Sequence, residues 1–250
     1  MTSDNLGNTT KTHSNIFNFD NSKPTITVNP TSQETAVEKI ASTTITVADA
    51  GTAGMSSSTE YKYYLSSSNT ALNGGEEKTY TSGTAIANLG QGLTGEYYLF
   101  VKQVSDKSGN VSEANGTLVD ISGAKWHRFG KYVFDNQIPQ VNFGTNGSTT
   151  WAQSHSTKVT LTDTPSGLNA SSFKYMWTRS ATAPASWTGA KSFANGATIS
   201  TTEIGASGSD WRLWIYAEDN LGHALITSTN PFYIDISKPT ITATPDAKTI

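Results

Sequence analysis

The chain has 250 residues, a net charge of −3 and no cysteine. Its length accommodates two domains of ~100 residues, each able to bury a core. Such mild acidity leaves no basic stripe for phosphates and excludes nucleic acid as a partner class, and no disulfide staples the fold. With no signal peptide, no anchor motif and no apolar run of ~18 residues, nothing inserts this fragment into a membrane.

In chain order, the first signal is Asp4, Gly7, Asn8, an Asp-x-x-Gly turn completed by Asn. Phe17, Phe19, Asp20 and Pro24 follow: two hydrophobic residues at alternate positions, an Asp, and a Pro four residues later. The same two-part signature returns as Asp106, Gly109, Asn110 with Tyr132, Phe134, Asp135, Pro139, and as Asp219, Gly222, His223 with Phe232, Ile234, Asp235, Pro239. Its period of ~100 residues is that of one small β-sandwich. The chain therefore reads as two complete repeats flanked by two partial ones.

Within each repeat the hydrophobic period is two, which predicts half-buried strands. Pro-led segments Thr25 to Val28, Gln140 to Phe143 and Thr240 to Ala243 open the repeats. Ser42 to Asp49 matches Ser156 to Asp163, pairing Ile45 and Val47 with Val159 and Leu161. Next, Tyr61, Tyr63 and Leu65 correspond to Phe173, Tyr175 and Trp177. Before the Asp-x-x-Gly turn, Tyr97, Leu99 and Val101 correspond to Trp211, Leu213 and Ile215, all expected to face inward. Tyr98, Phe100, Lys102 and Arg212, Trp214, Tyr216 then form rows on the opposite face. Only Gln33 to Ala41, with Ala36, Val37 and Ile40 at helical spacing, hints at a helix.

The runs GEYYLFVKQVSDKSGN with YVFDNQIPQVNF, and DWRLWIYAEDNLGH with FYIDISKPTITA, resemble the tandem bacterial Ig-like repeats of very large exported surface proteins. The resemblance covers nearly the whole chain and is a signature of fold. It implies an extracellular, cell-surface location and a role as stalk, adhesin segment, cell-wall module, or spacer of a secreted glycan-active enzyme.

The expected architecture is all-β, with tandem Ig-like antiparallel β-sandwiches. Residues 1–22 are the tail of a preceding repeat, 23–136 repeat 1, 137–236 repeat 2, and 237–250 the first strand of a following repeat. The expected function is a non-catalytic structural or adhesive module, a stalk or scaffold whose partners are neighbouring repeats of the same parent chain. One alternative is a binding module for a surface glycan or a host or cell-surface protein. Another is a spacer domain of a secreted glycan-active enzyme.

Three groups of residues carry the site expectations. The Asp-x-x-Gly turns need Gly for positive φ and Asp and Asn to cap backbone groups. The Asp before each Pro-led strand is a cap in the first reading and a calcium ligand in the second. The candidate ligands are Asp20, Asp106, Asp135, Asp219 and Asp235, with carbonyls and water completing the six to eight oxygens that a hard cation takes. Repeat 1 carries an insertion within residues 111–130, holding Trp126, His127 and Arg128. A Trp flanked by cations suits sugar stacking or partner anchoring, and it equally suits a hairpin folded back on its own sheet. The aromatic rows, Trp151 and Trp187 admit the same two readings. His13, His127, His155 and His223 are scattered, with no His-Glu-x-x-His or Gly-x-Ser-x-Gly motif, so no enzyme is expected.

Overall fold

Along Thr25–Asn29 exposed and buried side chains alternate, as the sequence period requires, and that pattern sets the architecture. The computed structural model describes residues 1–13 and 16–243. These are strands and turns, with a single 3-10 turn, Thr201–Glu203, among the described residues. The chain divides into two units.

The first unit comprises Met1–Gln33, Ala41–Leu89 and Tyr97–Tyr132. One sheet runs in the order Glu113–Ala114, Thr25–Asn29, Ile40–Ala48, Ala85–Leu89. Its central pair is antiparallel, with Ile26 opposite Val47 and Val28 opposite Ile45. The other sheet runs Thr117–Ile121, Ala124–Phe134, Gly95–Lys102, Lys62–Ser66, Lys78–Thr79. Ile26, Val28 and Ile45 from one sheet and Tyr63, Leu99 and Val101 from the other are buried. Each such side chain contributes roughly 1.5–3 kcal/mol by leaving water.

The insertion is part of this second sheet. Thr117–Ile121 and Ala124–Phe134 form a hairpin with Val119 opposite Trp126. It lays Trp126 over Tyr64 and Phe100, with Leu72, Tyr98, Val119 and Ile121 around them. Phe100, expected in an outward row, is thus 0% exposed. The sheet has a second apolar layer on the face that the alternation alone assigns to solvent.

The second unit comprises Glu34–Ile40, Gly90–Glu96 and the chain from Val133 onward. Its smaller sheet runs Gln140–Phe143, Ser156–Thr162, Thr198–Ser200. The larger runs Ser148–Ala152, Phe232–Ile234, Gly208–Asp219, Leu168–Thr178, Lys191–Ser192, and Ala224–Ser228 also pairs with Gly208–Asp219. Val159, Leu161 and Ile199 of the first sheet meet Phe173, Leu213, Ile215, Ala217 and Leu225 of the second in one core. This is a β-sandwich. On its outer face Trp214 is also buried, and its indole N–H donates to the Ser180 carbonyl at 3.2 Å.

Three further sequence expectations come out differently. Gln33–Val37 is a strand, not a helical turn. A helix of so few residues is marginal in isolation, and sheet pairing overrides the short 3.6-residue period. Phe17 and Phe19 do not pack: Phe19 is 83% exposed, although the matching Phe134 and Ile234 are buried. At the other end Thr240–Ala243 forms no assigned strand, and residues 244–250 of the expected segment 237–250 lie outside the described residues.

A repeated carboxylate cluster as candidate site

The site begins with the Asp-x-x-Gly turn. Asp4 Oδ1 accepts from the backbone N–H of Leu6 and of Asn8, and its Oδ2 accepts from Asn8 Nδ2 at 2.8 Å. Asp106 repeats this with Asn110, whose N and Nδ2 donate at 2.8 and 2.7 Å. In the third copy Asp219 Oδ1 accepts from the backbone N–H of Leu221 and His223, and Oδ2 from His223 Nδ1 at 2.6 Å. Histidine replaces asparagine because the turn needs a side-chain N–H at that position, and the imidazole supplies one. The glycine closes each turn with φ of +82, +87 and +90° at Gly7, Gly109 and Gly222, a region L side chains rarely adopt.

The second carboxylate is the one before each Pro-led strand. Asp20 Oδ1 accepts from Ser22 N at 2.9 Å and Oδ2 from Ala53 N at 2.7 Å. Asp135 does the same with Gln137 N at 3.1 Å and Ser166 N at 2.9 Å. Each Asp therefore fixes both its own chain direction and the turn that follows the matched strand Ile40–Ala48 or Ser156–Thr162. Gly51 is required by this approach, since a Cβ there would lie 2.1 Å from Asp20 Oδ2. In the second unit Asn136 Nδ2 also donates to the carbonyls of Glu38 and Leu93.

Sequence reasoning missed the third carboxylate. Asp49 follows the strand Ile40–Ala48 and Asp163 follows Ser156–Thr162; their alignment was legible, but the fold alone brings Asp49 to Asp20 and Asp106, and Asp163 within electrostatic reach of Asp135 and Asp219. Ligand atoms of Asp20, Asp49 and Asp106 lie within 4.8 Å of one another, as do those of Asp135, Asp219 and His223. The expected ligands Asp20 and Asp106 are thus brought together in the first unit, and Asp135 and Asp219 in the second. Asp235 is exposed, and Oδ1 accepts from Ser237 N and Ser207 Oγ.

These clusters could coordinate a divalent ion. In the first unit the donors are all oxygen, and Asp49 Oδ2 is enclosed without a hydrogen-bond partner among the described residues while Oδ1 accepts from Gly51 N. That orphaned oxygen beside two further carboxylates fits a hard cation. In the second unit burial raises the Asp163 carboxyl, and the negative charges of Asp135 and Asp219 raise it further. Burial also pushes Asp219 up, but the His223 and Leu221 donors outweigh it and leave the group lowered. For His223 burial acts downward, and the hydrogen bond and charge of Asp219, with Glu38 and Asp135, lift it above its ordinary value.

The inserted residues sit elsewhere. Trp126 and His127 are buried, and Arg128 reaches out to donate to the Asn69 carbonyl at 2.7 Å with its guanidinium 5.8 Å from the Tyr98 ring. Ser112 Oγ lies 3.3 Å from His127 Nε2. Both residues are enclosed and His127 Nδ1 lacks a partner among the described residues, so this serine–histidine contact has neither access nor an orienting acid there. His155 Nε2 lies near the carbonyls of Thr150 and Tyr233, at 3.0 and 3.1 Å, in a structural role. No helix among the described residues is long and apolar enough to cross a membrane.

No family model and no curated protein matches the chain. Among solved structures, one titled "Structures of Clostridium thermocellum CbhA fibronectin(III)-like modules" aligns with 87% of this chain and 100% of that chain, at 11% identity and a TM-score of 0.30. A likeness that slight carries no argument about this chain's function.

Proposed function

We propose that the chain is a non-catalytic, Ig-like β-sandwich repeat module of a large secreted bacterial protein, serving as stalk or scaffold. The observation that supports this most is the repeated anchoring of the segment before each Pro-led strand: Asp20 to Ala53 in the first unit, Asp135 to Ser166 in the second. Such a device holds the entering chain in a fixed direction on the sandwich it enters, which is what a load-bearing array needs. The absence of cysteine suits a bacterial exported protein whose stability does not depend on an oxidising compartment.

Calcium is the ion proposed for the first cluster, through Asp20, Asp49 and Asp106. Asp135 and Asp219 form the corresponding set in the second unit, with His223 in the place of the Asn110 amide. Bound there, the ion would neutralise converging carboxylates and lock the entering segment. Thermal melting in excess calcium and in excess chelator tests this: a higher midpoint in calcium, lost in Asp49→Asn, is expected. Identical midpoints in both buffers would remove calcium from the reading and leave the hydrogen-bonded anchor.

A further inference from the structure

On the second unit, the strand Leu168–Thr178 places Tyr175 and Trp177 on one face, and Trp211 of the neighbouring strand lies on the same face two residues before Leu213, the partner of Trp177. These three residues line an open groove, together with Met176 and Gly189. Ile204 and Glu203, at the end of the 3-10 turn, form its other side, and Lys191 its rim. Tyr175 donates its hydroxyl to Glu203 Oε2 at 3.2 Å, and Lys191 Nζ pairs with the same oxygen.

The two units share this framework and differ at two of its aromatic positions. The edge strand that pairs with Tyr175 through Lys191 has its counterpart in the pairing of Tyr63 with Lys78. Leu65 pairs with Leu99 as Trp177 pairs with Leu213. The framework is thus retained, but the positions of Leu65 and Tyr97 in the first unit are both tryptophan in the second. Trp177 packs edge-on against Phe232 at 5.7 Å, yet neither its indole N–H nor that of Trp211 has an acceptor among the described residues. Buried tryptophans ordinarily find such a partner.

We infer that this groove binds a neutral pyranose unit of a polysaccharide. Flat aromatic walls complement the C–H face of a sugar ring. Glu203, the Tyr175 hydroxyl and the Lys191 ammonium put acceptors and donors beside those walls, as hydroxyls that both give and take hydrogen bonds require. Lys191 and Glu203 cancel in charge, which selects against anionic and cationic ligands. A small turn of either indole toward a sugar hydroxyl also supplies an acceptor to a donor the fold leaves unpaired. None of these residues belongs to the carboxylate clusters, so the inference stands independently of the structural reading above.

The test titrates the full chain with cellotetraose, xylotetraose, mannotetraose and chitotriose, following the indole N–H resonances by NMR. At least one sugar is expected to shift the Trp177 and Trp211 signals saturably. Affinity is expected to fall about ten-fold or more in Trp211→Ala and to remain unchanged in Trp187→Ala. Glu203→Gln, at the exposed rim, is expected to weaken binding without altering the fold, and keeps the test decisive if Trp211→Ala does not fold. No saturable shift with any of the four sugars, shifts confined to Trp187 or Trp151, or full affinity in Glu203→Gln and Trp211→Ala would overturn the inference.

Discussion

Asn110 Nδ2 donates to two oxygens at once, Asp106 Oδ2 at 2.7 Å and the Asp20 carbonyl at 2.9 Å, so one amide joins the Asp-x-x-Gly turn to the segment that enters the first sandwich. The two parts of the repeated sequence signature, far apart in the chain, are in contact through this residue. That contact explains why they recur together.

Loss of the anchor should therefore cost stability. Asp20→Ala leaves the Ala53 and Ser22 N–H groups without their acceptor, and the unfolding midpoint should fall. Gly51→Ala should do similar damage, because its Cβ would displace the same carboxylate. Urea unfolding of the two single variants and the double variant checks this. The double should cost clearly less than the sum, since both substitutions remove one interaction.

Trp126→Ala should destabilise the first unit by about 3–5 kcal/mol, the range for removing a large buried aromatic. Its ring fills the layer over Tyr64 and Phe100. Arg128→Ala, whose hydrogen bond to Asn69 is exposed, should cost under about 1 kcal/mol. Denaturation curves for both variants separate a packing role from a surface role; an unchanged midpoint for Trp126→Ala would contradict the second apolar layer.

Burial lowers the His127 pKa below its ordinary 6.5, only partly offset by the Ser112 hydrogen bond. The unfolded chain then binds the proton more readily than the folded one, so this contribution is complete above pH ~6.5 and is lost as pH falls below it. Between pH ~6.5 and ~4.5, before carboxylates titrate, the first unit should lose stability. His127→Gln should flatten that slope, as measured by urea midpoints across the range.

Much of the fold was legible in the sequence because its main signals are local. Alternation marked Ile45, Val159 and Leu161, Leu99 and Val101, and Leu213 and Ile215 as core. The Asp-x-x-Gly period located the turns, including the one where His223 stands for asparagine. What was not legible depends on distant partners. Gln33–Val37 carries a helix-like spacing that only sheet pairing overrides. Phe100 and Trp126 bury a face that alternation assigns to water, because the covering hairpin comes later in the chain. Asp49 looked like an ordinary strand end, and only the closed sandwich brings it beside Asp20 and Asp106. The grooved face at Trp177 and Trp211 was likewise hidden, since inward-facing rings at a sheet edge and in a sheet centre share one pattern.

Amide hydrogen exchange at Ala53 and Ser166 tests the central claim most directly, because these N–H groups lie in turns and donate to the Asp20 and Asp135 carboxylates. Both should exchange slowly in the intact chain. Asp20→Ala should release Ala53 but not Ser166, and Asp135→Ala the reverse. Exchange at the rate of an open loop in the unsubstituted chain, or protection that survives both substitutions, would contradict the anchoring role of the repeated aspartates.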